Sequence, residues 1–238
     1  MTYKLIKRTF DIISSFTAIV ITSPLWLLIF LGIALSSKGP MFYVSERIGK
    51  DGKPFPLYKF RSMHVYQPQE GADLKTEVGY IANEKRIFKF GGFLRKSKLD
   101  ELPQLLNILL GHMSVVGPRP LPEKSAKKNY SGEIACALSV RPGLTGLDSL
   151  FDYAHGELFV KDNDEYIREV LPVRNQLARI YVEKRSIGLD VYCICRTVLL
   201  IVQIVVLKKD KFNLTKLEKI AQEKACIDCR EYEQRNCL

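Results

Sequence analysis

Residues 12–35 read IISSFTAIVITSPLWLLIFLGIAL, twenty-four consecutive positions without a charge. At about 1.5 Å per residue, a helix of that length covers a hydrocarbon core roughly 30 Å thick, so the run reads as a membrane segment rather than a buried soluble helix. A cleaved signal peptide is the next alternative, because Lys4, Lys7 and Arg8 precede the run and Ser36-Ser37 follow it. The apolar stretch is longer than the roughly 7–15 residues of a signal core, which argues against cleavage. Two features say that the segment enters the membrane and turns back. Lys4, Lys7 and Arg8 stand on one side of it and Lys38, Arg47, Lys50 and Lys53 on the other. Basic flanks favour the cytoplasm, and a re-entrant helix-break-helix puts both flanks there where a straight span cannot. At mid-run stands Ser23-Pro24, where proline removes a backbone donor and clashes with the preceding turn. A neighbouring hydroxyl, from Ser23 or Thr22, can satisfy the freed carbonyl inside lipid. A kinked helix that spans once remains open on these residues.

The segment also accounts for the charge of the whole chain. The 238 residues carry 36 Lys+Arg against 26 Asp+Glu, a net charge of +10, at 47% hydrophobic composition. Such proportions exclude a disordered chain, a collagen and a small disulfide scaffold. The first 61 residues hold nine basic and three acidic side chains, so most of the excess surrounds the apolar run. Anionic headgroups explain it there better than a nucleic acid does.

Beyond residue 40 the pattern shortens. MFYVSERIG and PFPLYKFRSM are strand-like and separated by Lys50-Asp51-Gly52-Lys53, and Asp-Gly between such runs is a hairpin signal, since both turn positions need positive φ. His64 to Glu84 reads as a polar loop, and 123–140 and 164–185 as helices, the second bent or restarted at Pro172. In Ile187–Leu207, Asp190 and Arg196 interrupt the apolar pattern and leave only eleven clean residues, so a helix lying in the membrane interface or packed on the catalytic body is expected rather than a second span. The tail from Lys208 has eight basic and six acidic residues and reads as a loosely attached helix or a partner-binding extension. Its Cys226 and Cys229 form a CxxC, but with only Cys237 nearby and no tail histidine the set falls short of a zinc site. These boundaries give a fold that is α+β and helix-dominated: a re-entrant membrane hairpin at 1–40, a catalytic domain with a small β-hairpin and interfacial amphipathic helices at 41–207, and a polar extension at 208–238.

Candidate chemistry concentrates in RKSKLDELPQ, residues 95–104, followed by Gly117-Pro118-Arg119-Pro120. Ser97 and Asp100 have the spacing of a capping pair, which would place Asp100 and Glu101 in the first turn of a helix and at the positive end of its dipole. A well-capped helix with no further role is the plain alternative. Arg95 precedes the carboxylates, and Arg119 stands between two prolines that stiffen its backbone and favour presenting a guanidinium fork to phosphate. Arg141-Pro142-Gly143 repeats the device. Carboxylates that share a hard cation with phosphate oxygens suit Mg²⁺, and a carboxylate can itself attack phosphorus. The residues thus point to phosphoryl or phosphosugar transfer, with a lipid as one substrate.

The segments IKRTFDIISS, SPLWLLI, GPMFYVSERIGKDGKPFPLYKFRSM, FLRKSKLDELPQLLNILLGHMSVVGPRP, RPGLTGL and YVEKRSIGLDVYCICRTV together resemble the bacterial sugar transferase family, the small monotopic phosphoglycosyl transferases. The resemblance covers about residues 3–206 and implies transfer of a sugar 1-phosphate from a UDP-sugar to undecaprenyl phosphate, with release of UMP. It places the protein on the cytoplasmic face of the bacterial inner membrane, at the first membrane step of a surface glycan, with downstream glycosyltransferases as further partners and no nucleic acid. By position it makes Asp100 the nucleophile of a covalent phosphosugar intermediate and an Mg²⁺ ligand. Glu101 completes the dyad, in metal organisation or in proton and electrostatic work. Arg95 and Arg119 become phosphate contacts, Lys59 and Arg141 contacts to diphosphate or uridine, and Ser23-Pro24 the break of the membrane helix. The chain departs from the family pattern at His112 and at Leu147-Asp148-Ser149, which leaves the sugar undefined. Asp148 to Glu157 either lines the sugar pocket or is a solvated loop. The chain is too short for the added membrane bundle of larger members, so a minimal catalytic form is expected. Two other classes stay open: a basic membrane-associated scaffold or nucleic-acid binder, and a metal-dependent phosphatase acting on lipid phosphates.

Overall fold

The computed structural model describes residues 2–65, 86–156, 158–160 and 162–236. Helix α1 (Thr2–Ser36) opens the chain and runs as one helix through Pro24. The break expected at Ser23-Pro24 is therefore not a loss of helix. Proline takes the N–H from the Val20 carbonyl, and the Ser23 hydroxyl donates to that carbonyl instead, at 2.8 Å. The Thr22 hydroxyl donates to the Ala18 carbonyl at 2.7 Å and accepts from the Trp26 indole at 3.2 Å.

One stripe of α1 lies against the protein along its whole length. Near the start, the Tyr3 hydroxyl and Lys7 ammonium donate to Asp190 Oδ2 at 2.9 and 2.8 Å. Arg8 donates to the carbonyls of Ile108 and Leu109, and the buried Asp11 accepts from the Ser114 hydroxyl and the Val115 N–H. Midway, Ala18 and Ile19 pack against Phe55, Leu105 and Met113. At the far end, Trp26, Ile29, Phe30 and Ile33 close on Phe60, Phe88 and Leu94. Such positions recur every three or four residues, which is one face of a helix. The opposite face, with Leu5, Ile13, Phe16, Ile21, Leu28, Leu31 and Leu35, is apolar and exposed.

Strands β1 (Phe42–Ile48) and β2 (Pro54–Phe60) pair antiparallel with Ser45 opposite Leu57. Asp51 at φ 58° and Gly52 at φ 75° make the turn, as the Asp-Gly pair requires. Next come α2 (Lys89–Lys96), a 3₁₀ turn (Leu99–Glu101) and α3 (Gln104–Leu109). Here the expected capping pair is corrected. The Ser97 hydroxyl donates backwards, to the Phe93 and Leu94 carbonyls at 2.8 and 3.2 Å, and so finishes α2. Lys98 then turns the chain with φ 58°, and Pro103 precedes α3 without a side-chain cap. Asp100 and Glu101 consequently sit in a tight turn between two helices and not in the first turn of one.

Strand β3 (Ser114–Val116) is followed by α4 (Glu123–Asn129), a 3₁₀ segment (Gly132–Ser139) and β4 (Gly143–Thr145). The helix expected over 123–140 is split, because Ser131 is extended and Gly132 takes φ 55°. β3 and β4 pair in parallel, Ser114 opposite Gly143, a second small sheet that the sequence reading lacks. A Cβ at Gly143 would meet the Gly117 nitrogen at 2.1 Å, so only glycine allows this approach.

The remaining helices are α5 (Leu147–His155), α6 (Asn163–Glu165), α7 (Leu171–Lys184), α8 (Ile187–Ile201) and α9 (Lys216–Asn236). Asp148–Glu157, read as pocket wall or solvated loop, is mostly the buried α5, and Glu157 lies outside the described residues. The restart expected near Pro172 is a π-helical turn (Tyr166–Val170) that delivers the chain into α7. Asp190, Cys193, Leu200 and Ile204 bury one face of α8 and of the π-helical turn (Val202–Val206) that extends it, while Val191, Val198, Leu199, Val202 and Val206 leave the other apolar and exposed. The tail is better held than its composition suggests, since Ala221 and Ala225 of α9 join the core with Leu177, Ile180 and Tyr181 of α7. Cys226 is exposed and free, and Cys237 lies outside the described residues, as does the polar stretch after Val65 up to Glu84. The architecture is α+β and helix-dominated, and among the described residues two helices, at 3–36 and 187–206, are long and apolar enough to cross a membrane.

Candidate active site

A cavity of about 650 Å³ collects side chains from distant parts of the chain. β1 and β2 supply Arg47 and Lys59, α2 supplies Arg95, the 3₁₀ turn supplies Asp100 and Glu101, and the Gly-Pro-Arg-Pro segment after β3 supplies Arg119. Asp152 of α5, Arg174 of α7 and Arg86, just ahead of α2, are further charged members of the lining. Arg61 lines it as well, although its guanidinium is engaged elsewhere, donating to the Ser37 and Lys38 carbonyls and tying β2 to the end of α1. Cations outnumber carboxylates in this lining, which favours an anionic, phosphate-bearing ligand.

Adjacent carboxylates in the turn have different surroundings. Asp100 and Glu101 are 5% and 7% exposed. Glu101 Oε1 accepts from the Lys59 ammonium at 2.8 Å and lies 3.8 Å from an Arg119 nitrogen. Burial alone would raise the Glu101 pKa, but Lys59, Lys98 and Arg119 outweigh it and hold the carboxyl well below the ordinary range. Asp100 is shifted the other way: burial raises its pKa, Lys59 pulls it down, and the Glu101 charge pushes it up again. Asp100 Oδ1 is buried and has no hydrogen-bond partner. The turn therefore offers one fixed anion and one carboxylate oxygen with nothing to bond.

Arg119 is positioned from its backbone. Its N–H donates to the buried Asp148 carboxylate at 2.7 Å, and its carbonyl accepts from the Tyr130 hydroxyl at 2.9 Å. With a proline on each side, the segment has little freedom, and the guanidinium keeps its charge near Glu101. Tyr153 does a similar service for α2 by donating to the Lys96 carbonyl, next to Arg95.

Of the residues singled out in the sequence, Lys59, Arg95, Asp100, Glu101 and Arg119 meet at the cavity. Arg141 does not line it. Its Nε donates to the Gly111 carbonyl at 2.8 Å, closing the turn after α3 where Gly111 has φ 85°. Ser23 and Pro24 are on α1, outside the lining. Arg47 and Arg174 were not anticipated: Arg47 sits in a strand and Arg174 in a helix, where a charged residue usually faces water, whereas Asp152 falls in the stretch 148–157 read as pocket wall or solvated loop and does line the cavity.

Whether the site suits a divalent cation follows from its donors. Among the described residues there is no cluster of three or more His, Cys, Asp or Glu side chains that would cage an ion. Mg²⁺, however, is commonly held by one or two carboxylates together with substrate phosphates, and the unpartnered Asp100 oxygen in a basic cavity fits that donor set.

Comparison with known proteins identifies the family. Residues 2–204 match the family described as bacterial sugar transferase. The chain is 40% identical over 155 residues to the undecaprenyl-phosphate galactose phosphotransferase of Salmonella typhimurium, covering 60% of this chain and 32% of that protein. It is 41% identical over 147 residues to the exopolysaccharide production protein PSS of Rhizobium leguminosarum bv. phaseoli, covering 60% and 72%. With the UDP-glucose:undecaprenyl-phosphate glucose-1-phosphate transferase of Klebsiella pneumoniae the figures are 37% over 195 residues, 81% and 39%. The chain thus spans well under half the length of the Salmonella and Klebsiella proteins. Because the match runs through α1, the hairpin, the Asp100–Glu101 turn and α8, the chain belongs to the bacterial sugar transferase family.

Proposed function

We propose that this protein transfers a sugar 1-phosphate from a UDP-sugar to undecaprenyl phosphate, giving undecaprenyl-diphosphate-sugar and UMP, at the first membrane step of a bacterial surface glycan. The observation that carries this reading is the buried Asp100 carboxylate, one oxygen unbonded, beside a Glu101 held as an anion by Lys59 and Arg119. Relatives named for this transfer to the same lipid carrier support the choice of substrates.

In the proposed reaction an Asp100 oxygen attacks the phosphorus that bears the sugar. A P–O bond forms to the carboxylate as the P–O bond to the uridylyl phosphate breaks, and UMP leaves with that electron pair. An oxygen of the lipid phosphate then attacks the same phosphorus and Asp100 departs as carboxylate. Burial starves the Asp100 oxygen of solvation and keeps it reactive, while Glu101 spends its charge on Lys59 and Arg119 and is a poor proton acceptor. Its role is to place those two cations, and with Arg95 they bind phosphate oxygens whose charge shifts during transfer. Mg²⁺ would be held by Asp100 and by substrate phosphate oxygens, and when bound it would neutralise the diphosphate.

On this reading α1 lies in the cytoplasmic leaflet of the inner membrane, entering from and returning to the same face. The support is its stripe of contacts: residues near both ends touch one catalytic body, so neither end is free to cross a core about 30 Å thick. The exposed apolar faces of α1 and α8 would meet the lipid. Detergent-solubilised protein, undecaprenyl phosphate, Mg²⁺ and a panel of UDP-sugars test the activity. UMP release from at least one donor is expected, and none from any donor would sink the proposal. Labelling of engineered cysteines near Met1 and Ser37 from outside the cell should fail at both positions, and labelling at either would refute the re-entrant arrangement.

A further inference from the structure

One wall of the cavity holds a charged group that the reaction above leaves unused. Arg174 is 4% exposed and belongs to the lining. Its Nη1 donates to the Tyr166 hydroxyl at 2.6 Å and to Asp152 Oδ2 at 3.3 Å. The Tyr166 hydroxyl in turn donates to Asp152 Oδ1 at 2.7 Å, so both oxygens of Asp152 are engaged and the pair is neutral. The second guanidinium nitrogen, Nη2, is buried with no hydrogen-bond partner. Buried donors are rarely left unmade, and a bound ligand is one way in which they are satisfied. Tyr166 reaches the group from the π-helical turn Tyr166–Val170, and such turns recur at functional sites.

We infer that Arg174 Nη2 donates to a neutral acceptor oxygen on the sugar of the nucleotide-sugar donor, and thereby helps select the sugar; this rests on the proposed transferase activity. Three points favour a sugar oxygen. The charge of Arg174 is already matched by Asp152, whereas Lys59, Arg95 and Arg119 offer phosphate stronger partners. What Arg174 has to give is a donor, which suits a hydroxyl or an N-acyl carbonyl oxygen. Finally, Arg174 and Asp152 line the same cavity as Asp100, Glu101 and Arg119, so a ligand with its phosphates at the turn has its sugar within that one enclosure. The sugar hangs on the attacked phosphorus by a single oxygen, whereas the base is separated from it by a second phosphate and a ribose.

The test uses the full-length protein in detergent with UDP-glucose, UDP-galactose and their 2-acetamido counterparts. kcat/KM is measured for each by UMP release, together with inhibition by UMP and the thermal midpoint. Arg174→Lys keeps the charge opposite Asp152 but has no fork to serve partner and ligand at once. Tyr166→Phe keeps the ring and frees the guanidinium from its hydroxyl. The expected result is that the spread of kcat/KM between best and worst donor shrinks about tenfold or more in Arg174→Lys and by a smaller factor in Tyr166→Phe. Inhibition by UMP should stay within about twofold, because UMP lacks the sugar. An unchanged spread in folded variants would overturn the inference and leave Arg174 an internal ion-pair partner, and a parallel loss of UMP affinity would overturn it in favour of the base. If Arg174→Lys does not fold, Tyr166→Phe decides by the same criteria. A wild-type protein that releases no UMP from any donor is a different failure, since it removes the transferase reading first.

Discussion

The cavity contains three buried carboxylates set among arginines and lysines, Asp152 by itself and Asp100 beside Glu101, and the two places are solved in opposite ways. At Asp152 the oxygens are fully engaged, by Tyr166 and by Arg174. At the Asp100–Glu101 turn the cations go to Glu101, and Asp100 keeps one oxygen without a partner. A satisfied buried ion pair positions and rigidifies, and breaking it costs stability. An unsatisfied carboxylate in the same low-dielectric surroundings has chemistry to offer. On the proposed reaction the contrast separates a residue that holds the cavity from one that works in it, although both are Asp and both are buried.

Substitutions break the contrast in order of size. Asp100→Asn removes the proposed nucleophile but no hydrogen bond to its unpartnered oxygen, so UMP release should fall at least about 10⁴-fold with little change in thermal midpoint. Chelation by EDTA should lower turnover by about a hundredfold or more, with added Mg²⁺ restoring it. Lys59→Met strips Glu101 of its closest cation, and kcat should drop about 10²–10³-fold in the same assay. Asp152→Asn acts on the other carboxylate. It leaves the Arg174 charge buried without its partner, at a cost of about 3–5 kcal/mol, and scanning calorimetry should show a midpoint lower by roughly 2–4 °C per kcal/mol. Smallest of all is Arg141→Ala, which loses one hydrogen bond to the Gly111 carbonyl at an exposed position and should leave kcat/KM within about threefold of wild type.

How far these features are legible in the sequence depends on the range of the forces behind them. Asp51-Gly52 dictates its own turn, and the hairpin follows from local backbone preference. The apolar run 12–35 announces a membrane segment, yet hydropathy cannot show that one stripe of it is occupied by Asp190, Ser114 and Phe60 from far along the chain. Ser97 has the spacing of an N-cap, but the same hydroxyl can finish the preceding helix, and it does. β3 and β4 are three residues each, and β4 opens on Gly143, so neither is long enough to show a period of two. At the site, Asp100, Glu101 and Arg119 stand in unusual local company and are visible, whereas Arg174 stands in a helix of mixed polar and apolar residues, most of which are buried with it. Only the packing of α5 against α7 reveals that its charge is buried. The pairing of Arg141 with Gly111 is equally a matter of tertiary contact, and Arg-Pro-Gly by itself looks like a second phosphate clamp.

The central claim is that Asp100 carries the phosphosugar between donor and lipid. It is tested most directly by incubating the protein with a UDP-sugar that it turns over, Mg²⁺ and no lipid acceptor, then following UMP and intact mass together. The account predicts a burst of UMP close to one equivalent of enzyme and a mass increase of one sugar phosphate that maps to Asp100 and disappears when undecaprenyl phosphate is added. Release of UMP only after the lipid phosphate is supplied, with no adduct at any time in an enzyme that turns over freely, would contradict it and point to direct transfer between the two substrates.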